Sequence, residues 1–211
     1  MPRKRKSTDS YHHGDLRRAL LEGALKIIER HGLEQLSLRE LARRLGVSPA
    51  APYHHFANRS ALVFELAQQG FAKLLEFMTR EIADEKTPRE RLVAIGRGYL
   101  RFAIAHPSYY RLMFLVDHHG PSDRLVSHDK DYGEGFDLLR QCVIACASPG
   151  NGTVDDPMPA ILAMWGGVHG IASLWLEGPL KRMQAPEEYE RLSIAALHVL
   201  VNALAPGISG R

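Results

Sequence analysis

Two cysteines, Cys142 and Cys146, are all that 211 residues contain. That excludes a disulfide-stapled scaffold and, with no basic-then-apolar leader at the front, is the usage expected of a reducing, cytoplasmic compartment. The pair stands four apart in "QCVIAC", a helical spacing that fits two metal ligands or two small core residues. No stretch alternates apolar and polar residues between hairpin turns, so a β-sheet is excluded and the periodicity is helical throughout: the chain reads as all-α. Also missing are a Gly-rich phosphate loop, a nucleophile elbow and a helix with paired metal-binding histidines. The carboxylates stand at caps or on solvent faces. Enzymatic chemistry has little to rest on, and no cofactor, catalytic residue or metal is expected. Residues 117–135, "DHHGPSDRLVSHDKDYGEG", hold three histidines but no i, i+4 pair, and read as a polar loop.

Long uncharged runs are scarce. The one that stands out is 157–176, "PMPAILAMWGGVHGIASLWL", without Asp, Glu, Lys or Arg. Its length is enough to cross a bilayer. Prolines at its start, glycines 166, 167 and 170, and His169 within a helical body argue instead for a helix buried on most sides, and no membrane partner is expected. Its small residues admit a close neighbour, which suits packing between subunits.

What is present is an uneven distribution of charge. Residues 1–60 carry 12 Lys/Arg against 6 Asp/Glu, whereas residues 61–211 carry 15 against 18. A basic front on a mildly acidic body points to a polyanion, with nucleic acid first and an anionic membrane second. The densest run is Arg3 to Lys6, within a basic, flexible arm over 1–13. Such a run is compatible with an idle solvated tail and with an arm against phosphates.

Beyond the arm, Leu16, Leu20, Ala24, Ile27 and Ile28 form one face of a first helix that Gly32 stops. In "LSLRELARRLG", Ser37 caps and Glu40 reaches back in a capping box, with Leu36 and Leu41 as a hydrophobic staple. This second helix turns Leu38, Leu41, Ala42 and Leu45 inward and ends at Gly46. Ser48 then caps a third, with Pro49 in the first helical position, where its missing N–H costs nothing. Pro52 removes the first intrahelical bond, so the first turn is expected to be tight or irregular, leaving Tyr53 to Phe56 as the regular part. Helix, short Gly-containing turn, capped helix is the layout of a helix-turn-helix.

The stretch "SLRELARRLGVSPAAPYHHFANRSAL", between two longer amphipathic helices, resembles the N-terminal domain of the TetR family of bacterial transcriptional regulators. The resemblance implies a three-helix DNA-binding domain over 14–60, acting in a homodimer on double-stranded operator DNA. It further implies that Ser37, Arg39, Ser48, Pro49, Ala50, Ala51, Tyr53, His54 and His55 face phosphates or bases and that Phe56 packs inward. Arg59, where the family usually has lysine, would be another phosphate contact. Ala50 and Ala51 are small where polar residues are common, so readout would lean on methyl contacts to thymine and on His54.

The remaining residues, 61–206, read as a larger helical regulatory and dimerisation domain. Asn58 caps a helix running to about Asp84, Thr87 and Glu90 form a capping box around Pro88, and "PSYYRLMFLV" is a short aromatic helix. A last helix places Tyr189, Leu192, Ala196, Val199 and Ala203 on one face, and with the uncharged helix it resembles the family's four-helix dimer interface. "HPSYYRLMF" together with Trp165 to Gly170 also resembles a subgroup named for a Trp-His-Gly signature. An apolar or aromatic small-molecule effector is expected near Phe102, His106, Tyr110, Met113, Trp165, His169 and Trp175, each of which fits plain core packing equally. The function implied is a sequence-specific regulator, a repressor released by ligand. The alternatives are a constitutive architectural DNA binder, which needs no cavity, and a helical enzyme.

Overall fold

A computed structural model of the chain describes residues 13–85, 87–115, 133–147, 156–183 and 185–204. The basic run Arg3–Lys6, most of the polar stretch 117–135 and most of the loop before Pro157 lie outside the described residues. Among the described residues the structure is helical and holds no strand: α1 (His13–His31), α2 (Leu38–Leu45), α3 (Arg59–Glu81), α4 (Pro88–Ala105), α5 (Pro107–Leu115), α6 (Gly133–Ala147), α7 (Met158–Glu177), α8 (Leu180–Met183) and α9 (Pro186–Leu204). Two 3-10 turns, Leu33–Gln35 and Ala51–His54, complete it. The chain divides into two compact units between Leu66 and Ala67.

In the first unit α1 buries Leu16, Leu20, Leu21, Ala24 and Ile27, and α2 buries Leu38, Leu41 and Ala42. Gly23 lets the two meet: a Cβ there would stand 3.1 Å from Leu41 Cδ2. Ser37 caps α2, its Oγ accepting the Glu40 N–H at 3.1 Å. The reciprocal half of the expected capping box is not made. The Glu40 carboxylate turns to Arg43 at 2.8 Å and Arg44 at 2.7 Å, because charge-assisted bonds one turn away outcompete a neutral amide. Gly46, at φ 67, closes α2 in the left-handed region.

The second unit is organised around α4. Its N-terminal capping box is complete, Thr87 Oγ1 accepting the Glu90 N–H at 3.2 Å and Glu90 Oε2 the Thr87 N–H at 2.8 Å. From Leu92 to Ala103 it is buried on nearly every side, and it touches α5, α6, α7 and α9. Cys142 and Val143 of α6 join this core and Cys146 packs against it, so the two cysteines serve as small core residues. Near the end of α3, Glu81 binds Arg97 and Arg101, while Arg97 also reaches Glu85 and Arg101 reaches Glu190 of α9 at 2.8 Å. Burial alone would raise Glu81; the bonds from the two arginines hold it below the usual carboxylate range.

Two expectations about the body are corrected. First, α7 is not buried on most sides. Ile161, Met164, Val168, Ala172 and Trp175 form one inward stripe, whereas Leu162, Trp165 and Leu174 are exposed. A single chain supplies neighbours for only one face. Long and apolar enough to cross a membrane, the helix nonetheless sends that stripe into the body core. Second, α9 splits the face assigned to it: Tyr189 points inward with Ser193, Leu197 and Val201, while Leu192 and Val199 point out, Val199 with 68% of its surface accessible. A 100° step per residue separates Tyr189 from the stripe of Leu192, Val199 and Ala203 once the inward row is occupied.

Gly98 admits another helix's backbone rather than a side-chain tip: a Cβ there would lie 2.8 Å from both Met78 Cα and the Phe77 carbonyl oxygen. Backbone cannot retreat as a side-chain tip can. Gly98→Ala is expected to destabilise the body by about 1–3 kcal/mol in urea unfolding, whereas Gly135→Ala, with open space around it, should leave stability unchanged or slightly higher.

Candidate nucleic-acid interface and buried polar cluster

Two places in the chain gather the polar groups of interest. In the first unit the segment after α2 is not the α-helix expected. Ala50 occupies the cap position and makes no side-chain cap bond, so Ser48 is not the cap, and the element is a 3-10 turn over Ala51–His54. The irregular turn anticipated from Pro52 thus extends over the whole segment; Tyr53 to Phe56 is no regular α-helix. The turn is held from beneath. Pro52 and Phe56 are buried, and the Arg17 guanidinium of α1 lies over the Phe56 ring at 5.4 Å while pairing with Glu65 at 3.0 Å.

Packing on that side leaves Ser48, Pro49, Ala50, Tyr53 and His54 exposed, Tyr53 at 48%, with Ala51 and His55 half-buried. Ser37 and Arg39 are exposed on α2, although the Ser37 hydroxyl is engaged as the cap. Arg59 differs from its neighbours. Its Nη2 donates to the Leu33 carbonyl at 2.7 Å, and its Nε is buried with no partner. It ties the start of α3 to the turn between α1 and α2. Glu40 is drawn down to about 2, first by the Arg43 hydrogen bond and then by that from Arg44, so it stays ionised beside those two arginines.

In the second unit the aromatic candidates do not form one group. Tyr110 and His169 meet: the rings stack with centroids 5.4 Å apart, and the Tyr110 hydroxyl lies 3.1 Å from His169 Nδ1, 3.2 Å from its carbonyl and 2.9 Å from Ser173 Oγ. Tyr99, not anticipated, brings its hydroxyl to the same Nδ1 at 2.9 Å, and Phe114 places its ring edge-on to the imidazole at 4.5 Å. One nitrogen cannot serve both hydroxyls as acceptor. Every hydroxyl proton of the cluster finds an acceptor when a neutral His169 accepts from Tyr99 at Nδ1, Tyr110 donates to the His169 carbonyl and Ser173 donates to Tyr110, the 3.1 Å approach of Tyr110 to Nδ1 then being a contact without a proton. The cluster then leaves Nε2–H uncommitted.

Phe102 and His106 form a neighbouring aromatic group with Phe77 and Tyr109, and Met113 is buried against Gly70. Trp165 lies beside Tyr99 and meets Phe136 edge-on. Trp175 instead stacks on Tyr189 at 4.0 Å. Burial pushes the Tyr99 and Tyr110 hydroxyls above the ordinary tyrosine range. The one sequence signal for Tyr99 is its place on α4, eleven residues before Tyr110.

A family model described as "Bacterial regulatory proteins, tetR family" matches residues 20–66, and one described as "Tetracyclin repressor-like, C-terminal domain" matches residues 92–200. The HTH-type transcriptional regulator YobS of Bacillus subtilis is 28% identical over 50% of this chain, which spans 54% of that protein's length. An HTH-type transcriptional repressor of Mycobacterium tuberculosis is 31% identical over 89% of this chain and 92% of its own. A solved Rhodococcus protein of unknown function superposes with a TM-score of 0.75 at 35% identity, covering 93% of this chain and 99% of that one.

Burial depresses both His169 and His106, with Glu177 opposing the shift at the first and Lys73 adding to it at the second. Each binds its proton more weakly folded than unfolded. Their contribution to stability is therefore present above the ordinary histidine value of about 6.5 and is lost as pH falls below it. Thermal unfolding between pH 7 and pH 5 is expected to show a falling melting temperature, and His169→Gln, which keeps hydrogen bonding but cannot titrate, should make that fall shallower.

Proposed function

The chain belongs to the TetR family of bacterial transcriptional regulators, and we propose that it is a homodimeric cytoplasmic repressor, binding double-stranded operator DNA and released by a small molecule. The DNA-binding role falls to residues 14–60 and the regulatory and dimerisation roles to 61–206. The observation that carries this reading is the one-sided turn: Pro49, Ala50, Tyr53 and His54 stand free on a short element whose opposite side, Pro52 and Phe56, is anchored. A helix-turn-helix offers such residues to base edges in the major groove. Ala50 suits a thymine methyl, His54 a purine edge, the Tyr53 hydroxyl a base-edge acceptor, and Arg39 the phosphates. Ser37, Ser48, Ala51, His55 and Arg59 border the same contact. A regulator needs no catalytic constellation.

Dimerisation through α7 and α9 is supported by the apolar side chains these helices leave uncovered. Leu162 and Leu174 of α7 flank Gly166 and Gly170, around which a Cβ would meet nothing within 4 Å. Leu192 and Val199 do the same on α9. A second copy of the pair would cover both faces and make a four-helix interface.

For the effector, the cluster of Tyr99, Tyr110, His169 and Ser173 supports a specific chemistry. Its hydrogen bonds involve no carboxylate or ammonium group. The molecule it suits is apolar or aromatic with a neutral acceptor, a carbonyl or hydroxyl oxygen, that takes His169 Nε2–H. Phe102, His106, Met113 and Trp165 would supply apolar wall. Two recognition turns must stand about 34–36 Å apart to reach successive major grooves. Because α3 begins in the DNA-binding unit and ends in the regulatory one, an effector that prefers a tilted α3 would favour the wrong spacing. Its greatest effect equals its differential affinity for the two states.

Fragments selected from genomic DNA by the purified chain test the first part. Tyr53→Phe is expected to weaken binding of the selected operator by about 1–3 kcal/mol without lowering the melting temperature. Val199→Glu should turn a dimer into a monomer by light scattering and abolish operator binding at concentrations that saturate the wild type. For the switch, reciprocity is decisive: a ligand found by thermal shift should bind the free dimer about 5–150-fold more tightly than the operator-bound dimer in calorimetry. Equal affinities would leave the constitutive architectural binder as the better description.

A further inference from the structure

The turn that carries Tyr53 follows 3-10 rather than α geometry, and one residue accounts for it. In an α-helix the N–H of residue 52 would donate to the Ser48 carbonyl. Proline has no N–H, and its ring collides with that carbonyl. The Ser48 oxygen is taken instead by Ala51 N–H at 3.0 Å, Tyr53 N–H goes to Ala50 at 3.1 Å and His55 N–H to Pro52 at 3.0 Å, bonds that each span three residues, and only past the turn does a four-residue bond follow, from Phe56 N–H to the Pro52 carbonyl at 3.0 Å. Pro52 is also buried, so packing holds it where it is.

This choice decides which side chains line up. A 3-10 turn has 3.0 residues per turn and rises about 2.0 Å per residue, so residues three apart share a column about 6 Å long. Ala50 and Tyr53, both exposed, make such a pair. In an α-helix the same two would diverge by about 60° and stand about 4.5 Å apart along the axis. The 3-10 separation falls about 0.8 Å short of two base-pair steps of about 3.4 Å each, and the α separation about 1.1 Å beyond one; the two geometries therefore address different spacings on the duplex. A displacement of about 1.5 Å exceeds what a hydrogen bond tolerates.

We propose that Pro52 is the specificity-determining positioning residue of the DNA interface: by enforcing 3-10 geometry it sets Ala50 and Tyr53 in one column, matched to positions two base pairs apart. Pro52 touches no base itself. The inference rests on the reading of this turn as the DNA-contacting element.

The test uses the full-length chain and its Pro52→Ala and Pro52→Val variants, the second restoring the N–H while keeping buried bulk. Each is offered a random DNA library, and the affinity for the site preferred by the wild type is compared with that for random duplex across a salt series. The ratio of specific to random affinity is expected to fall roughly tenfold or more in both variants, with a different preferred sequence. Random-duplex affinity and its salt slope should stay within about twofold. An unchanged ratio, or a parallel fall of specific and random binding, overturns the proposal. So does unfolding of the first unit in both variants, which would make Pro52 a folding residue only. If the wild type itself selects no sequence, the DNA-binding reading fails and takes the inference with it.

Discussion

How closely α4 can be approached governs the second unit. A helix buried on nearly every side must let neighbours come near at several points along its length, and side chains stand in the way. Gly98 admits the backbone of Met78, and Gly96 admits Leu197, where a Cβ would stand 2.7 Å from Cδ2. The same device recurs between α7 and α9, where a Cβ on Gly167 would be 2.6 Å from Leu200 Cδ1. Close packing forgoes none of the dispersion contacts that a gap would lose. With α4 enclosed, α7 has one face left to bury in its own chain and one left over.

Polar groups in that unit are arranged by how much water they keep. Charged pairs lie toward its surface, where Arg101 joins Glu81 to Glu190 and so links the end of α3 to α9. Deeper in, the hydrogen bonds pass between neutral groups: two tyrosine hydroxyls, a serine and an imidazole. Such a cluster avoids the desolvation cost of a buried charge and still fixes the relative placement of α4, α5 and α7. It is also a set of directional groups in apolar surroundings, which is the property a binding site for a neutral polar molecule requires.

The first unit solves a different problem, the support of a short element that is exposed on one side. Its underside is fastened by buried Pro52 and Phe56, with Arg17 bridging Phe56 and Glu65. Its neighbour α2 carries Arg43 and Arg44, both tied to Glu40 on the same helix. Arg59 spends one of its N–H groups on the Leu33 carbonyl and so stiffens the entry into α3. Rigidity here lowers the ordering cost that a DNA contact would otherwise carry.

Local chemistry made much of this legible without coordinates. Helical periodicity announced an all-α chain, Gly32 and Gly46 marked the ends of α1 and α2, and Ser37, Asn58 and Thr87 marked helix starts, because capping is decided within four residues. The difficulty of Pro52 was visible for the same reason. Other features depended on neighbours distant in sequence. Tyr189 turns away from Leu192 and Val199 because α7 lies on its side; Arg59 finds a carbonyl twenty-six residues earlier. The meeting of Tyr99, Tyr110, Ser173 and His169 required three helices to converge. Periodicity tells which residues share a face, but only the packed structure decides what that face meets, since that is set by competition among all the other faces for the same space.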